Sequence, residues 1–145
     1  MKLVLTSIFL SITSLALKAQ HVLVQGGVEK TVSGLEYLTS LSYETKRLWA
    51  VGSFYQSGLS KQNAEGELRQ NNIFYGLQFQ APIVRTERIA FLFNMRAGFI
   101  NQNFFALVPS VETRVRLTTK MSFSMGTGFR MAYPALSGKL TYQLF

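Results

Sequence analysis

The chain has no cysteine and no aspartate, and it has a single histidine among 145 residues. The absence of cysteine excludes disulfides, thiolate metal sites, cysteine nucleophiles and a lipid-modified cysteine. Without aspartate, a Ser-His-Asp set cannot form, and a Ser-His-Glu set would have to use His21, for instance with Glu29. No cluster of histidine and carboxylates suggests a metal, and no glycine-rich loop precedes a helix. The sequence therefore predicts a non-enzymatic protein with no cofactor and no metal.

Charge is also scarce. Charged residues make up 15% of the chain, whereas a soluble domain usually has about 25%. Hydrophobic residues account for 48% and aromatic residues for 13%, with 12 phenylalanines. The formal net charge is nevertheless +8, because 15 basic residues stand against 7 acidic ones. This composition indicates contact with lipid or a very large buried fraction.

Only the first twenty residues contain a long apolar run. Lys2 precedes the run from Leu3 to Leu17, and Ala19 is a small residue at a plausible cleavage position. The run is shorter than the ~20 residues of a membrane-spanning helix and contains Ser and Thr. Residues 1–19 are therefore predicted to be a cleaved export signal, and residues 20–145 to be the mature domain. Export without a second apolar helix leaves a periplasmic β-domain or an outer-membrane β-barrel.

The mature chain alternates with a period of two, which is typical of strands. In residues 121–134, Met121, Phe123, Met125, Phe129, Met131 and Tyr133 share one parity, and serines, glycines and Arg130 share the other. Similar alternation predicts about eight strands, at 21–30, 35–45, 48–57, 72–83, 88–99, 105–118, 121–134 and 137–145. For the third of these, Trp49, Val51 and Tyr55 are assigned to the apolar face. Pro109 cannot donate a ladder hydrogen bond, so it predicts a bulge or a local break.

The connections differ in length. Three predicted turns, at 45–47, 84–88 and 118–120, are short, whereas residues 57–72 form one long polar segment. Outer-membrane barrels have short periplasmic turns and longer outer loops. The pattern therefore predicts that both termini lie on the periplasmic side and that residues 57–72 lie on the outer side.

Alternation alone is also compatible with a soluble barrel or sandwich. The polar parity, however, is rich in small residues and carries opposite charges, which suits the narrow interior of an eight-stranded barrel. We expect these charges to form an ion-pair network that fills the lumen, and the alternative is an anion-selective constriction. The network comprises Glu36, Glu44, Arg96, Glu112, Arg114, Arg116, Arg130 and Lys139.

Tyrosines and the tryptophan lie near strand ends, as in the interfacial belts of membrane proteins. The set is Tyr37, Tyr43, Trp49, Tyr55, Tyr75, Tyr133 and Tyr142.

Basic residues in the short turns favour anionic headgroups or a periplasmic partner over nucleic acid. They are Lys46, Arg47, Arg85, Arg88 and Lys120. A protein partner is expected at these basic turns or at the 57–72 loop.

The export signal, the two-residue repeat, the loop asymmetry and the terminal Phe145 together resemble the small eight-stranded outer-membrane barrels of Gram-negative bacteria, the OmpA/OmpX-like superfamily. The resemblance implies an all-β fold, an eight-stranded antiparallel up-and-down transmembrane β-barrel. It also implies recognition of the C-terminal strand by the barrel-assembly machinery. The residues concerned are Leu140, Tyr142, Leu144 and Phe145, of which Phe145 is one position out of register with the outward set.

The predicted function is that of a structural or accessory outer-membrane component of the cell envelope or of an envelope-spanning complex, with secretion or conjugation machinery as possible settings. A narrow ion-conducting pore is one alternative. A soluble periplasmic lipocalin-like carrier, with its Phe and Met face around a ligand, is the other.

Overall fold

The computed structural model describes residues 21–32, 34–58, 73–130 and 133–144. These residues form eight strands, each with the alternating burial expected from the sequence. The strands are β1 (His21–Thr31), β2 (Gly34–Glu44), β3 (Ala50–Gly58), β4 (Ile73–Arg85), β5 (Ile89–Ile100), β6 (Phe104–Arg116), β7 (Met121–Arg130) and β8 (Tyr133–Gln143). In the described part of the chain, no helix has the length and apolar character needed to cross a membrane.

The strands follow one another around a closed barrel in the order β1 to β8. Every neighbouring pair is antiparallel, and the barrel closes where Leu23–Lys30 of β1 pair with Gln143–Leu136 of β8. Closure leaves no unpaired sheet edge between the first and last strands. The predicted eight-stranded antiparallel up-and-down barrel is confirmed.

The barrel has two ends with different contents. The first, named here the terminal end, contains His21, Leu144 and the connections 45–49, 86–88 and 117–120. At the second, named the loop end, β1, β3, β5 and β7 end at Thr31, Gly58, Ile100 and Arg130, and the strands that follow them begin. Three of the four loop-end connections are as short as those at the terminal end, so the predicted asymmetry depends on residues 59–72 alone.

The strands are strongly staggered. Paired residues can be followed once around the barrel from His21, through Glu44, Ala50, Gln80, Asn94, Ser110, Gly128 and Ala135. On β8, Ala135 is next to Leu136, and Leu136 pairs with Lys30 of β1. The path therefore starts at His21 and returns to β1 beside Thr31, at the other end of the same strand. Closing an eight-stranded sheet requires this kind of offset, and the strands consequently tilt relative to the barrel axis.

One predicted detail is wrong, and another is confirmed in part. β7 ends at Arg130 and Tyr133 begins β8, where these two residues pair, so residues 121–134 are not one strand. β6 runs through Pro109 without a bulge, but the predicted local break is present, because the ladder to β7 stops at Ser110 although β7 continues to Arg130. Pro109 pairs with Met95 of β5, and the described ladder to β7 begins one residue later, at Ser110, so the missing N–H interrupts no described β6–β7 pair. The register shift lies instead between Pro82 and Val84.

Large apolar side chains cover the outside of the barrel, and polar side chains occupy the inside. Trp49 and Tyr55 are exposed, as predicted for the third strand, while Phe54 between them points inward and is buried. The seven predicted belt aromatics are all exposed. Tyr43, Trp49 and Tyr142 lie towards the terminal end, and Tyr37, Tyr55, Tyr75 and Tyr133 lie towards the loop end.

Candidate functional site: the barrel interior

Within the described ranges, eight charged side chains are buried inside the barrel, and they form four ion pairs of one acid with one base. Arg96 contacts Glu29 at 2.5 Å, and Arg114 contacts Glu44 at 2.5 Å. Arg130 pairs with Glu36, and Lys139 pairs with Glu112. None of these pairs joins adjacent strands. Arg96–Glu29 and Arg114–Glu44 each join strands four apart and therefore span the lumen, whereas Lys139 and Glu112 meet over the intervening β7. Isolated buried charges are costly, and one-to-one pairing leaves the interior neutral.

Gln56 of β3 connects two of these pairs into one network near the loop end. Its Nε2 donates to Glu29 at 3.0 Å and to Glu36 at 2.6 Å, while its Oε1 accepts from Arg96 at 2.6 Å. Arg130 donates to the same Glu36 carboxylate. Charge-assisted hydrogen bonds are stronger than neutral ones, and here they hold β1, β2, β3, β5 and β7 together across the lumen.

Two further groups contain the other buried charged residues. Towards the terminal end, Arg114 donates to Glu44 and, at 2.9 Å, to Gln80, whose Nε2 in turn donates to Glu44 at 3.4 Å. Between the two ends, Glu112 accepts from Lys139 and, at 2.7 Å, from Asn94. The interior is therefore crossed by side chains at several levels.

An apolar cluster packs beside the Gln56 network. Phe54 and Phe74 meet edge to face, with ring centroids 4.7 Å apart. The guanidinium of Arg96 lies 5.9 Å from the Phe54 ring and that of Arg130 lies 5.1 Å from the Phe74 ring, which are cation–π distances. Six buried residues from β2 to β6 form the cluster: Leu38, Phe54, Phe74, Ile100, Ala106 and Val108. Side chains thus fill the lumen at this level.

The structure places seven of the eight predicted network residues inside the barrel: Glu36, Glu44, Arg96, Glu112, Arg114, Arg130 and Lys139. Arg116 is different, because it has the inward parity but lies exposed at the last position of β6. The arginines of the neighbouring strands β5, β6 and β7 each pair with an acid on β1 or β2.

Glu29 and Gln56 are the functional residues that the sequence prediction missed. Glu29 has the inward parity of Gln25 on β1, so strand parity alone would have included it. Gln56 carries no charge, and its parity depended on the ambiguous third strand. The sequence signal that would have found it is glutamine at strand positions of inward parity. Gln78 and Gln80 occupy such positions and are also buried.

His21 lies beside Gln143, with 2.7 Å between its Nδ1 and Gln143 Nε2, and its cross-strand partner on β2 is Glu44. Glu29 lies eight residues further along the same strand, a distance of about 26 Å at ~3.3 Å per residue. A Ser-His-Glu set built from His21 and Glu29 is therefore not formed. In the described part of the chain, no three His, Cys, Asp or Glu residues lie close enough to hold a metal ion.

Several predictions concern residues outside the described ranges. They are the export signal at 1–19, residues 59–72 of the predicted loop, and Phe145. The preceding C-terminal residues Leu140, Tyr142 and Leu144 are exposed on the outer face, with the parity that the sequence predicts. The N–H of Leu144 donates to Val22 at 2.8 Å, so the pairing of the C-terminal segment with β1 extends beyond Gln143.

Comparison with known proteins supports the architecture alone. No protein-family model matches the sequence, and no curated protein is significantly similar to it. Among solved structures, the chain is similar to a protein described under "De novo design of transmembrane beta-barrels", with a TM-score of 0.61 at 9% identity, over 88% of this chain and 98% of that one. It is also similar to the de novo designed TMB2.3, solved by NMR in solution, with a TM-score of 0.63 at 12% identity, over 86% and 94%. The chain therefore has the closed eight-stranded antiparallel barrel fold of designed transmembrane β-barrels.

Proposed function

We propose that the chain is an exported, non-enzymatic outer-membrane β-barrel protein. It acts as a structural or accessory component of the Gram-negative envelope or of an envelope-spanning complex. The observation that carries this proposal is the inverted polarity of the barrel: all eight strands project exposed large apolar side chains, while charged residues are buried inside. Soluble monomers rarely expose contiguous apolar patches above a few hundred Å². A bilayer core would cover this surface.

The filled interior favours a closed scaffold over a carrier. A lipocalin-like carrier keeps its apolar face around a ligand cavity, whereas here Phe91, Phe129 and Met125 lie outside. The interior contains buried polar residues and a packed apolar cluster, and its charged groups are paired one to one. The same pairs occupy the path that a narrow pore would need.

The predicted export signal gives the proposal an orientation. If residues 1–19 direct secretion, the terminal end faces the periplasm and the loop end faces outward. Outer-membrane lipid and the barrel-assembly machinery are then its first partners, with Leu140, Tyr142 and Leu144 on the strand that closes the barrel. The 57–72 segment and the basic turns are the surfaces proposed for a protein partner.

Fractionation of cells that express the full chain tests the proposal. We expect the mature protein in the outer-membrane fraction, with a gel mobility that changes on boiling because the closed barrel resists detergent at room temperature. Recovery as a freely soluble periplasmic protein, stable without detergent, would contradict it. The genes beside this one would indicate which envelope complex it serves.

A further inference from the structure

Exposed charged residues are distributed unevenly between the two ends of the barrel. The buried acids Glu29, Glu36, Glu44 and Glu112 are each held by a buried base, so they are not available to exposed cations. Of the exposed charged residues in the described ranges, only Lys30 lies near the loop end. The others lie at the terminal end: Lys46, Arg47, Arg85, Glu87, Arg88, Arg116 and Lys120. Six cations therefore stand with one carboxylate at that end.

Part of this charge lines a concavity at the mouth of the lumen, named here the basic basin. Five of its lining residues are cationic: Arg85, Arg88, Arg114, Arg116 and Lys120. Its two acidic lining residues are Glu44, which already binds Arg114 at 2.5 Å, and the exposed Glu87. Within the described ranges, no ion pair engages Arg88, Arg116 or Lys120. Since like charges that line one concavity repel one another, an added anion would stabilise the basin.

Arg114 provides a second, independent observation. It forms part of the lining of the basin, yet only 7% of its surface is exposed. Its two terminal nitrogens bond Glu44 and Gln80, but its Nε is a buried donor without a hydrogen-bond partner in the described structure. A buried unsatisfied donor is costly, and one near a cationic cavity favours an acceptor oxygen there.

The size of the basin limits what it can hold. Its volume is about 70 Å³. Ligand pockets for whole small molecules are ≈300–1,000 Å³, whereas a single water needs only ~10–15 Å³ on the same kind of measure. The basin therefore suits one compact anionic group, such as a phosphate, and it is too small for a complete organic ligand.

The basin also borders the apolar outer surface. Ile89 and Met121 help to line it, and Ile89 is at the same time 41% exposed on the outer face of β5. Leu117, which follows β6, is exposed nearby, and Arg116 beside it lines the basin. A phosphate in the basin can therefore belong to a lipid whose hydrocarbon chains lie over Ile89 and Leu117. A free phosphate has no hydrocarbon chain and cannot make this apolar contact.

We propose that the basic basin at the terminal end binds the phosphate of an anionic phospholipid whose acyl chains lie along the neighbouring apolar wall. This site rests on the proposed membrane location, because the wall must face lipid. It assigns a binding role to Arg88, Arg116 and Lys120, with Arg114 at the base of the site. A lipid bound there would anchor the barrel against vertical movement at that interface.

The test uses the refolded full-length mature barrel in zwitterionic detergent micelles, with backbone amide signals followed by NMR. Phosphatidylglycerol is titrated in one arm, phosphatidylcholine in a second and inorganic phosphate in a third. We expect saturable shifts for amides of the 86–88 and 117–120 connections with phosphatidylglycerol. Much weaker effects are expected in the other two arms.

Matched variants locate the site. Arg116→Gln removes a basin cation and is expected to weaken phosphatidylglycerol binding about fivefold, as for one basic residue at an anionic surface. Arg47→Gln removes an exposed cation from the same end outside the basin, and Lys30→Gln removes one near the opposite end. Both controls should leave the affinity within about twofold of the wild type. All three side chains are exposed, so folding is expected to be retained and is checked by gel mobility.

The outcomes are distinguishable. Equal shifts with phosphatidylcholine, or equal losses in Arg116→Gln and Arg47→Gln, would overturn the site. Equal affinity for inorganic phosphate would show that the anion alone is recognised and would overturn the lipid assignment. A barrel that folds in micelles but shows none of these shifts would overturn the lipid site and leave the proposed function intact. Failure to partition into membranes would contradict the proposed function itself.

Discussion

Arg96 and Glu29 join β5 to β1 through the interior, with 2.5 Å between Nη2 and Oε2, and neither side chain exposes more than 2% of its surface. The two residues are 67 positions apart in the sequence. Since β5 and β1 are not neighbours in the barrel, this contact fixes the distance across the lumen in a way that no ladder hydrogen bond can.

Loss of Arg96 is expected to destabilise the barrel strongly. Arg96→Met leaves the Glu29 carboxylate buried without its cation, for which about 3–5 kcal/mol is typical. The measurement is equilibrium unfolding of the refolded barrel in urea. The matched substitution Arg47→Met, at an exposed position, should change stability by less than about 0.5 kcal/mol.

The double variant Glu29→Gln with Arg96→Met separates pairing from simple loss of packing. Because both charges are then absent, we expect it to be less unstable than the sum of the single changes, with a coupling of about 0.5–3 kcal/mol. Strict additivity of the two effects would show that the ion pair is not what stabilises this contact.

A close approach of two backbones predicts a second sensitive position. A Cβ on Gly76 would lie 2.1 Å from the carbonyl oxygen of Ala97 and 2.5 Å from the Cα of Gly98 on the neighbouring strand. Backbone atoms cannot move aside cheaply, so Gly76→Ala is expected to cost about 1–3 kcal/mol in the same unfolding experiment.

Gly26 is the matched control for this substitution. It lies on a strand and faces the outside, and a Cβ there would meet no atom within 4 Å. Gly26→Ala should therefore be neutral or should stabilise by about 0.4–1 kcal/mol through the unfolded chain. Equal destabilisation by the two variants would contradict the close β4–β5 packing.

Much of the fold could be predicted because burial in a barrel wall follows the two-residue period of a strand. Leu35, Tyr37 and Tyr43 face out and Glu36 and Glu44 face in, as their alternation indicates. The period did not reveal where β7 ends. The connection at 131–132 is only two residues long, and Phe129 and Tyr133 on either side are both exposed, so the alternation continues without a visible break.

The candidate site was less predictable, since parity gives the face of a side chain but neither its depth nor its partner. Arg116 has the same parity as Arg114, yet it is exposed because it lies at the terminal end of β6. Which acid each base meets depends on the stagger of the strands around the barrel. That offset brings Arg96 to Glu29 and Arg114 to Glu44, and it is a property of closure rather than of any single strand.

Because the charges of the interior are paired, we expect that the barrel does not conduct ions. In planar bilayers we expect no reproducible conductance from the wild type, because side chains from separate parts of the wall meet across the lumen. Arg96→Ala and Arg114→Ala each remove one cross-lumen contact and serve as comparisons. Stable conductance steps in the wild type that change with both substitutions would favour the pore alternative over the closed scaffold.

A charge placed on the outer wall tests what covers that wall. Met125 lies in the middle of β7 and is 63% exposed. If lipid surrounds the barrel, Met125→Arg should cost about 2–4 kcal/mol in vesicles, the value for a basic residue near the bilayer midplane, while Leu117→Arg at the terminal end should cost only about 0–1 kcal/mol. Unfolding in urea from vesicles measures both. A soluble barrel would tolerate both substitutions equally, since arginine on a water-exposed wall carries no desolvation cost, so equal stabilities would contradict the membrane location.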